Sequence, residues 1–165
     1  MEIDMEIRTA RHHDWPQIFP VFRAIVAAGD SYSYPEDLTS DAAEALWMEP
    51  PPKHCVVAMD GGQLLGTAKM GPNRPGRGSH VATAAFMISP SFRRTGAGRA
   101  LGLYALEWAR QSGYRGMQFN AVVETNTAAV RLWESLGFTI AGTVPEAFNH
   151  ATLGYVGLHV MYQRL

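Results

Sequence analysis

The stretch from Phe86 to Arg99, Phe-Met-Ile-Ser-Pro-Ser-Phe-Arg-Arg-Thr-Gly-Ala-Gly-Arg, constrains the fold more than any other part of this 165-residue chain. An apolar, extended run ends at Ser89-Pro90, because proline biases the residue before it away from the helical region. Gly96 and Gly98 then let the backbone turn tightly, and the strongly helix-forming segment 99–111 follows at once. A strand that runs through a glycine turn into a helix leaves the first N–H groups of that helix without partners. It also aims the positive end of the helix dipole at the turn. Such a turn is a cradle for phosphate or pyrophosphate, and Arg93, Arg94 and Arg99 add charge to it. The spacing lacks the third glycine of a dinucleotide fingerprint, and no acidic ribose partner stands about 20 residues on. The absence of Gly-Lys-Ser/Thr excludes a P-loop.

Hydrophobic period orders the rest of the chain. Residues 5–9 alternate as a short strand. Asp14 is expected to cap a helix carrying Ile18, Phe19, Phe22, Ile25 and Val26 and stopping near Gly29, with a distortion or a later start at Pro20. Ser40 with 41–49 reads as a second helix closed by Pro50-Pro51-Pro52. Residues 54–59 and 64–70, separated by Gly61-Gly62, predict a hairpin; 71–78 is a loop and 80–88 a third β-like run. The helix at 99–111 is apolar on most faces, as a well-buried helix is. A strand at 117–123, a helix at 127–136 between Asn126 and Gly137, and strands at 138–144 and 155–162 complete the order β-α-α-β-β-β-α-β-α-β-β. That is an α/β chain with a mixed sheet, and with no repeat or long linker it is expected to be one domain, 1–165.

Composition narrows the function classes. An apolar content of 47% excludes disorder, and 14 basic against 15 acidic side chains leave no basic footprint for nucleic acid. No apolar run approaches the roughly 20 residues of a membrane span, and the acidic N-terminus lacks the apolar core of a signal peptide. One cysteine, Cys55, excludes a disulfide framework and a thiolate zinc cluster and reads as a small core residue. A cytoplasmic protein is expected, with no metal, nucleic-acid or membrane partner.

The pattern Arg93-x-x-Gly96-x-Gly98 is joined by a second block, Asn126-x-x-Ala129-x-x-x-Trp133-x-x-x-Gly137-Phe138. In this order, with a helix and a strand between them, the two resemble the GNAT superfamily of acyl-CoA N-acyltransferases, and the resemblance covers nearly the whole chain. It implies a mixed, mostly antiparallel sheet of about seven strands with helices on both faces, splayed between the fourth and fifth strands. It also implies acetyl-CoA as co-substrate, held by Phe86, Met87, Ile88, Arg93, Arg94, Thr95, Gly96, Ala97, Gly98, Arg99, Asn126, Ala129 and Trp133. Backbone groups of Phe86, Met87 and Ile88 would pair with the pantetheine amides and polarise the thioester carbonyl. The amine would attack directly in a ternary complex, and relatives are often dimers through their terminal strands, so a homodimer is expected.

Some relatives place a histidine or glutamate base on the strand before the loop. Here Ala82, Ala84 and Ala85 stand there, which leaves His80 and Glu124 as bases acting through water, beside Asn126 as a further catalytic residue. Trp133 stands where relatives with tyrosine protonate the departing thiolate. An indole does not do this, so the thiolate leaves directly or with help from Tyr104, Tyr155 or water.

Asn120 interrupts an apolar strand, and a buried amide needs a partner: neighbouring backbone or the substrate. The stretch around Asn120 and Asn126 resembles the subgroup that acetylates proline analogues such as azetidine-2-carboxylate, with Thr83 where that subgroup has a third asparagine. Asp30, Tyr32 and Tyr34, in the loop after the first helix, are candidates for the acceptor wall, with Thr83 and Asn120. The leading expectation is an acetyl-CoA-dependent N-acetyltransferase of a small-molecule amine, such as an amino acid. The alternatives are acetylation of a protein N-terminus or lysine, or a non-catalytic acyl-CoA sensor.

Overall fold

The computed structural model describes residues 2–165; Met1 lies outside them. In chain order the elements are β1 (Glu6–Thr9), α1 (Trp15–Ala28), α2 (Ser40–Trp47), β2 (His54–Asp60), β3 (Gln63–Pro72) and β4 (Val81–Ile88). Then follow α3 (Ala97–Gln111), β5 (Gly116–Val123), α4 (Thr127–Ser135), β6 (Thr139–His150) and β7 (Gly154–Arg164). The strands form one sheet in the order β1-β2-β3-β4-β5-β7-β6. Every pairing is antiparallel except β4 with β5, which is parallel and lasts for two rungs, Val81 with Gly116 and Ala82 with Met117. Beyond Ala82 the two strands part. This is the expected mixed α/β fold, splayed between its fourth and fifth strands.

Alternation along the strands divides the core. Val56, Ala58, Leu65, Ala68 and Ala82 face α3 and α4, where Leu101, Ala105, Leu106 and Trp133 meet them. Cys55, Val57, Met59, Leu64 and Met87 face α1 and α2 and pack on Ile18, Phe22, Ile25 and Trp47. Cys55 is buried, its Sγ 3.8 Å from the Thr67 hydroxyl, and burial pushes its thiol up to about 11. The hairpin at Gly61-Gly62 forms as expected, with both glycines at positive φ.

Several local expectations are corrected. α1 runs through Pro20 without a break: the proline is exposed, and the ring's conflict with the preceding turn is outweighed by the buried face of Ile18, Phe22, Ile25 and Val26. α3 is not apolar all round. It buries Leu101, Ala105, Leu106 and Ala109 on one face and leaves Leu103 49% exposed. β6 reaches His150 instead of stopping at 144, and its tip folds onto the end of α1, where the Ala151 N–H donates to the Gly29 carbonyl at 2.9 Å.

Asp14 does not cap α1 with its side chain. It is buried, accepts the Arg11 N–H at 2.7 Å and takes both Arg8 guanidinium nitrogens at 2.8 Å, tying β1 to the entry of α1. Hydrogen bonding from Arg8 is the main reason its carboxyl is held down to about 2. A depressed carboxyl stabilises the fold above its unfolded pKa, and that stability is lost as pH falls through the folded value. The stability gap between the wild type and Asp14→Asn is therefore expected to be about 2 kcal/mol in urea titrations above pH 4 and to close between about pH 4 and pH 2.

Candidate active site

Where β4 and β5 part, a cleft of about 980 Å³ passes through the sheet. At one end lies the glycine turn. Thr95 donates its hydroxyl back to the Phe92 carbonyl at 2.7 Å, Arg94 and Gly96 take positive φ, and α3 begins as the Ala100 N–H bonds the Gly96 carbonyl. At Gly96, with φ +88°, any side chain would strain the backbone, although an added Cβ would touch nothing within 4 Å. Arg93, Arg94, Gly96, Ala97, Gly98 and Arg99 line this end, with the first N–H groups of α3 among them. Arg99 also reaches the Ser135 hydroxyl on α4 at 3.1 Å. Backbone donors and positive charge are thus gathered at one end of the cleft, the combination that favours an anion.

The middle of the cleft is apolar. Phe86 and Ile88 from β4, and Ala129, Leu132 and Trp133 from α4, form its walls. Trp133 packs 4.7 Å from the Phe86 ring and 4.8 Å from Phe119, centroid to centroid. Asn126 caps α4, its Oδ1 accepting the Ala129 N–H at 3.3 Å, and also lines the cleft.

At the far end stand Tyr32, Tyr34, Thr83 and Asn120, brought together from three separate stretches of the chain: the loop after α1, β4 and β5. The rings of Tyr32 and Tyr34 stack 6.0 Å apart. The Tyr32 hydroxyl accepts the Phe86 N–H at 2.8 Å and donates to the Phe86 carbonyl at 2.7 Å, and burial holds its phenol well above the usual range. Asn120 is exposed to the cleft and not buried in the strand. The chain departs from regular pairing here, between Phe119 and Val122, and so releases the side chain. Its partners are other amides: it accepts from Gln118 Nε2 at 2.9 Å and donates to Asn73 Oδ1 at 2.6 Å.

Other expected site residues lie elsewhere. Met87 points into the α1–α2 side of the core, and Thr95 turns its hydroxyl into the loop, so neither side chain lines the cleft. His80 is exposed, before the first residue of β4 and a strand's length, about 25 Å, from Ile88, and it is not among the cleft-lining residues. Glu124 is likewise absent from the lining; it accepts the Gly157 N–H on β7 at 2.7 Å and clamps the end of β5. Tyr104 bonds His54 and Tyr155 is 69% exposed, so neither reaches the cleft.

Asp30 lines the acceptor end beside Tyr32 and Tyr34, and the structure adds Glu49, Lys53, Lys69, Asn73 and His150 to it. Lys53 pairs with Glu49 at 2.7 Å, while Lys69 donates to the Leu46 carbonyl at 2.7 Å and lies 5.7 Å over the Tyr34 ring. His150 accepts at Nδ1 from the N–H groups of Thr152 and Leu153, at 3.1 and 3.2 Å, which leaves its ring proton on Nε2. No local motif marks these residues; sheet topology alone gathers them. Among the described residues no cluster of His, Cys, Asp and Glu is arranged to hold a metal ion, and no helix is long and apolar enough to cross a membrane.

Comparison with known proteins agrees with this geometry. A GCN5-related N-acetyltransferase from Kribbella flavida is 54% identical and superposes with a TM-score of 0.95, covering 98% of each chain. The phosphinothricin acetyltransferase of Sinorhizobium meliloti, solved in complex with acetyl-CoA, shares the fold at a TM-score of 0.87 and 23% identity, over 98% of this chain and 88% of that one. The N-acetyltransferase aca1 of Schizosaccharomyces pombe is 44% identical over 84 residues, which take in 51% of this chain and 40% of that relative's length. Residues 13–138 match the profile of the acetyltransferase (GNAT) family, and together with the full-length relative this establishes that the chain belongs to that family.

Proposed function

We propose that the protein, acting as a single domain, transfers the acetyl group of acetyl-CoA to the amine of a small molecule, an amino acid or a proline analogue such as azetidine-2-carboxylate. The observation that carries this reading is the cleft itself, which runs from an arginine-lined helix N-terminus through a split sheet to a compact polar chamber. Acetyl-CoA supplies an activated thioester. The amides at 97–99 with Arg93, Arg94 and Arg99 hold its diphosphate, and the backbone edge of Phe86 and Ile88 receives its pantetheine arm. Ala129 keeps α4 close to that arm, while Trp133 and Leu132 exclude water. Asn126 both caps α4 and contributes to the reaction site.

Thr83, Asn120, Tyr32 and Tyr34 form the acceptor's surroundings. The amides of Asn73 and Asn120 and the paired lysines suit a small polar acceptor. A cytoplasmic location and a homodimer through the terminal strands belong to the same proposal, and β6 leaves Ile140 and Val144 exposed there. Sedimentation as a monomer would remove the dimer.

Release of coenzyme A thiol across a panel of amino acids, small amines and peptides tests the function. Turnover with the small acceptors is expected; turnover with peptides alone would favour a protein acetyltransferase, and binding without turnover a sensor. At Gly98 an added Cβ would lie 3.5 Å from Leu132, an ordinary contact, so the fold tolerates a side chain there. Gly98→Val is expected to keep its melting temperature within a few degrees and to weaken acetyl-CoA binding at least about 100-fold, by filling the cradle. Asn120→Ala is expected to raise the acceptor KM about ten-fold with little change in the acetyl-CoA KM; equal rises in both would assign the residue to structure alone.

Given their placement, His80→Ala and Glu124→Ala are expected to leave the acidic limb of the kcat/KM profile where it is in the wild type. A shift of that limb in either variant would identify it as the base.

A further inference from the structure

On β4 the Ser89 N–H bonds the Leu65 carbonyl of β3. Alternation along the strand then turns the backbone groups of Ala85 and Met87 toward β3 and those of Phe86 and Ile88 toward the split. Past Ala82 no rung of β5 meets that edge, so Phe86 would face the cleft with its N–H and C=O unpaired. Tyr32 fills both positions at once, with bonds of 2.8 and 2.7 Å from a single hydroxyl. The residue that does so comes from the loop at 30–34, on the acceptor side, and it carries Tyr34 stacked on its ring and Lys69 over that second ring.

We infer that Tyr32 is a positioning residue that holds, in the free protein, the hydrogen-bonding place on Phe86 that the acyl-CoA takes on loading. The inference rests on the proposed acetyl-CoA reading. The Phe86 N–H is a single donor, and a phenol and a cofactor carbonyl compete for it. Entry of the cofactor therefore displaces the Tyr32 hydroxyl, and the displacement reaches the acceptor wall through Tyr34. Until then the phenol keeps the Phe86 edge satisfied, so the split neither zips onto β5 nor exposes a bare strand edge.

Tyr32→Phe keeps the ring and its stacking and removes the competitor. Calorimetry with acetyl-CoA is expected to give a dissociation constant about five-fold lower than that of the wild type, a change opposite in sign to ordinary structural damage. Hydrogen exchange of the Phe86 amide, read by NMR, is expected to be slow in the free wild type and at least about ten-fold faster in free Tyr32→Phe, where that bond is gone. With acetyl-CoA bound it is expected to be slow in both. Unchanged or weaker acetyl-CoA binding by Tyr32→Phe, or equal protection of Phe86 in the two free proteins, would overturn the inference while leaving the transferase reading intact. Failure of the wild type to bind acetyl-CoA would overturn both.

Discussion

The early end of the pairing between β4 and β5 is the constraint on which the rest of this structure depends. Two parallel rungs at Val81 and Ala82 hold the two halves of the sheet together, and then the strands diverge. Divergence creates a passage between the two faces of a sheet that is elsewhere continuous, and it leaves a strand edge with backbone groups to satisfy. The glycine turn at the end of β4, the cap of α4 beyond the end of β5 and the Tyr32 hydroxyl all sit on the border of that opening. Had the strands stayed paired, the same residues would line two unconnected surfaces.

The two ends of the passage differ in kind. The entrance at α3 is built from backbone donors and three arginines, a grip that suits a highly charged, flexible group. The opposite end uses paired charges: Lys53 with Glu49, and Lys69 against a carbonyl and an aromatic ring. There Asn120 and Asn73 form a short amide chain with a fixed direction of donation. Such an arrangement spends its polarity on internal order and presents shape and a few directed donors to whatever enters.

Much of this was legible in the sequence because it is encoded locally. The strand-turn-helix at 86–99, the Asn126 cap and the Gly61-Gly62 hairpin each depend on residues within a few positions of one another, and each formed as expected. What was misread depends on distant partners. Asp14 looks like a cap until Arg8 is folded against it, and Pro20 looks like a breaker until the buried face of α1 is counted. Asn120 looks buried until the irregular pairing of β5 opens it to the cleft. The acceptor end was the least legible beyond the loop at 30–34, because Glu49, Lys69, Asn73 and His150 share no spacing and meet only through the order of the strands.

The lone sulfur nucleophile of the chain adds a chemical corollary. Cys55 is sealed beneath α1 and α2, on the side of the sheet away from α3 and α4, with its thiol protonated at neutral pH. Coenzyme A set free in the passage thus meets no cysteine with which to form a mixed disulfide. Oxidising conditions that cross-link coenzyme A to other enzymes leave this one without a point of attachment.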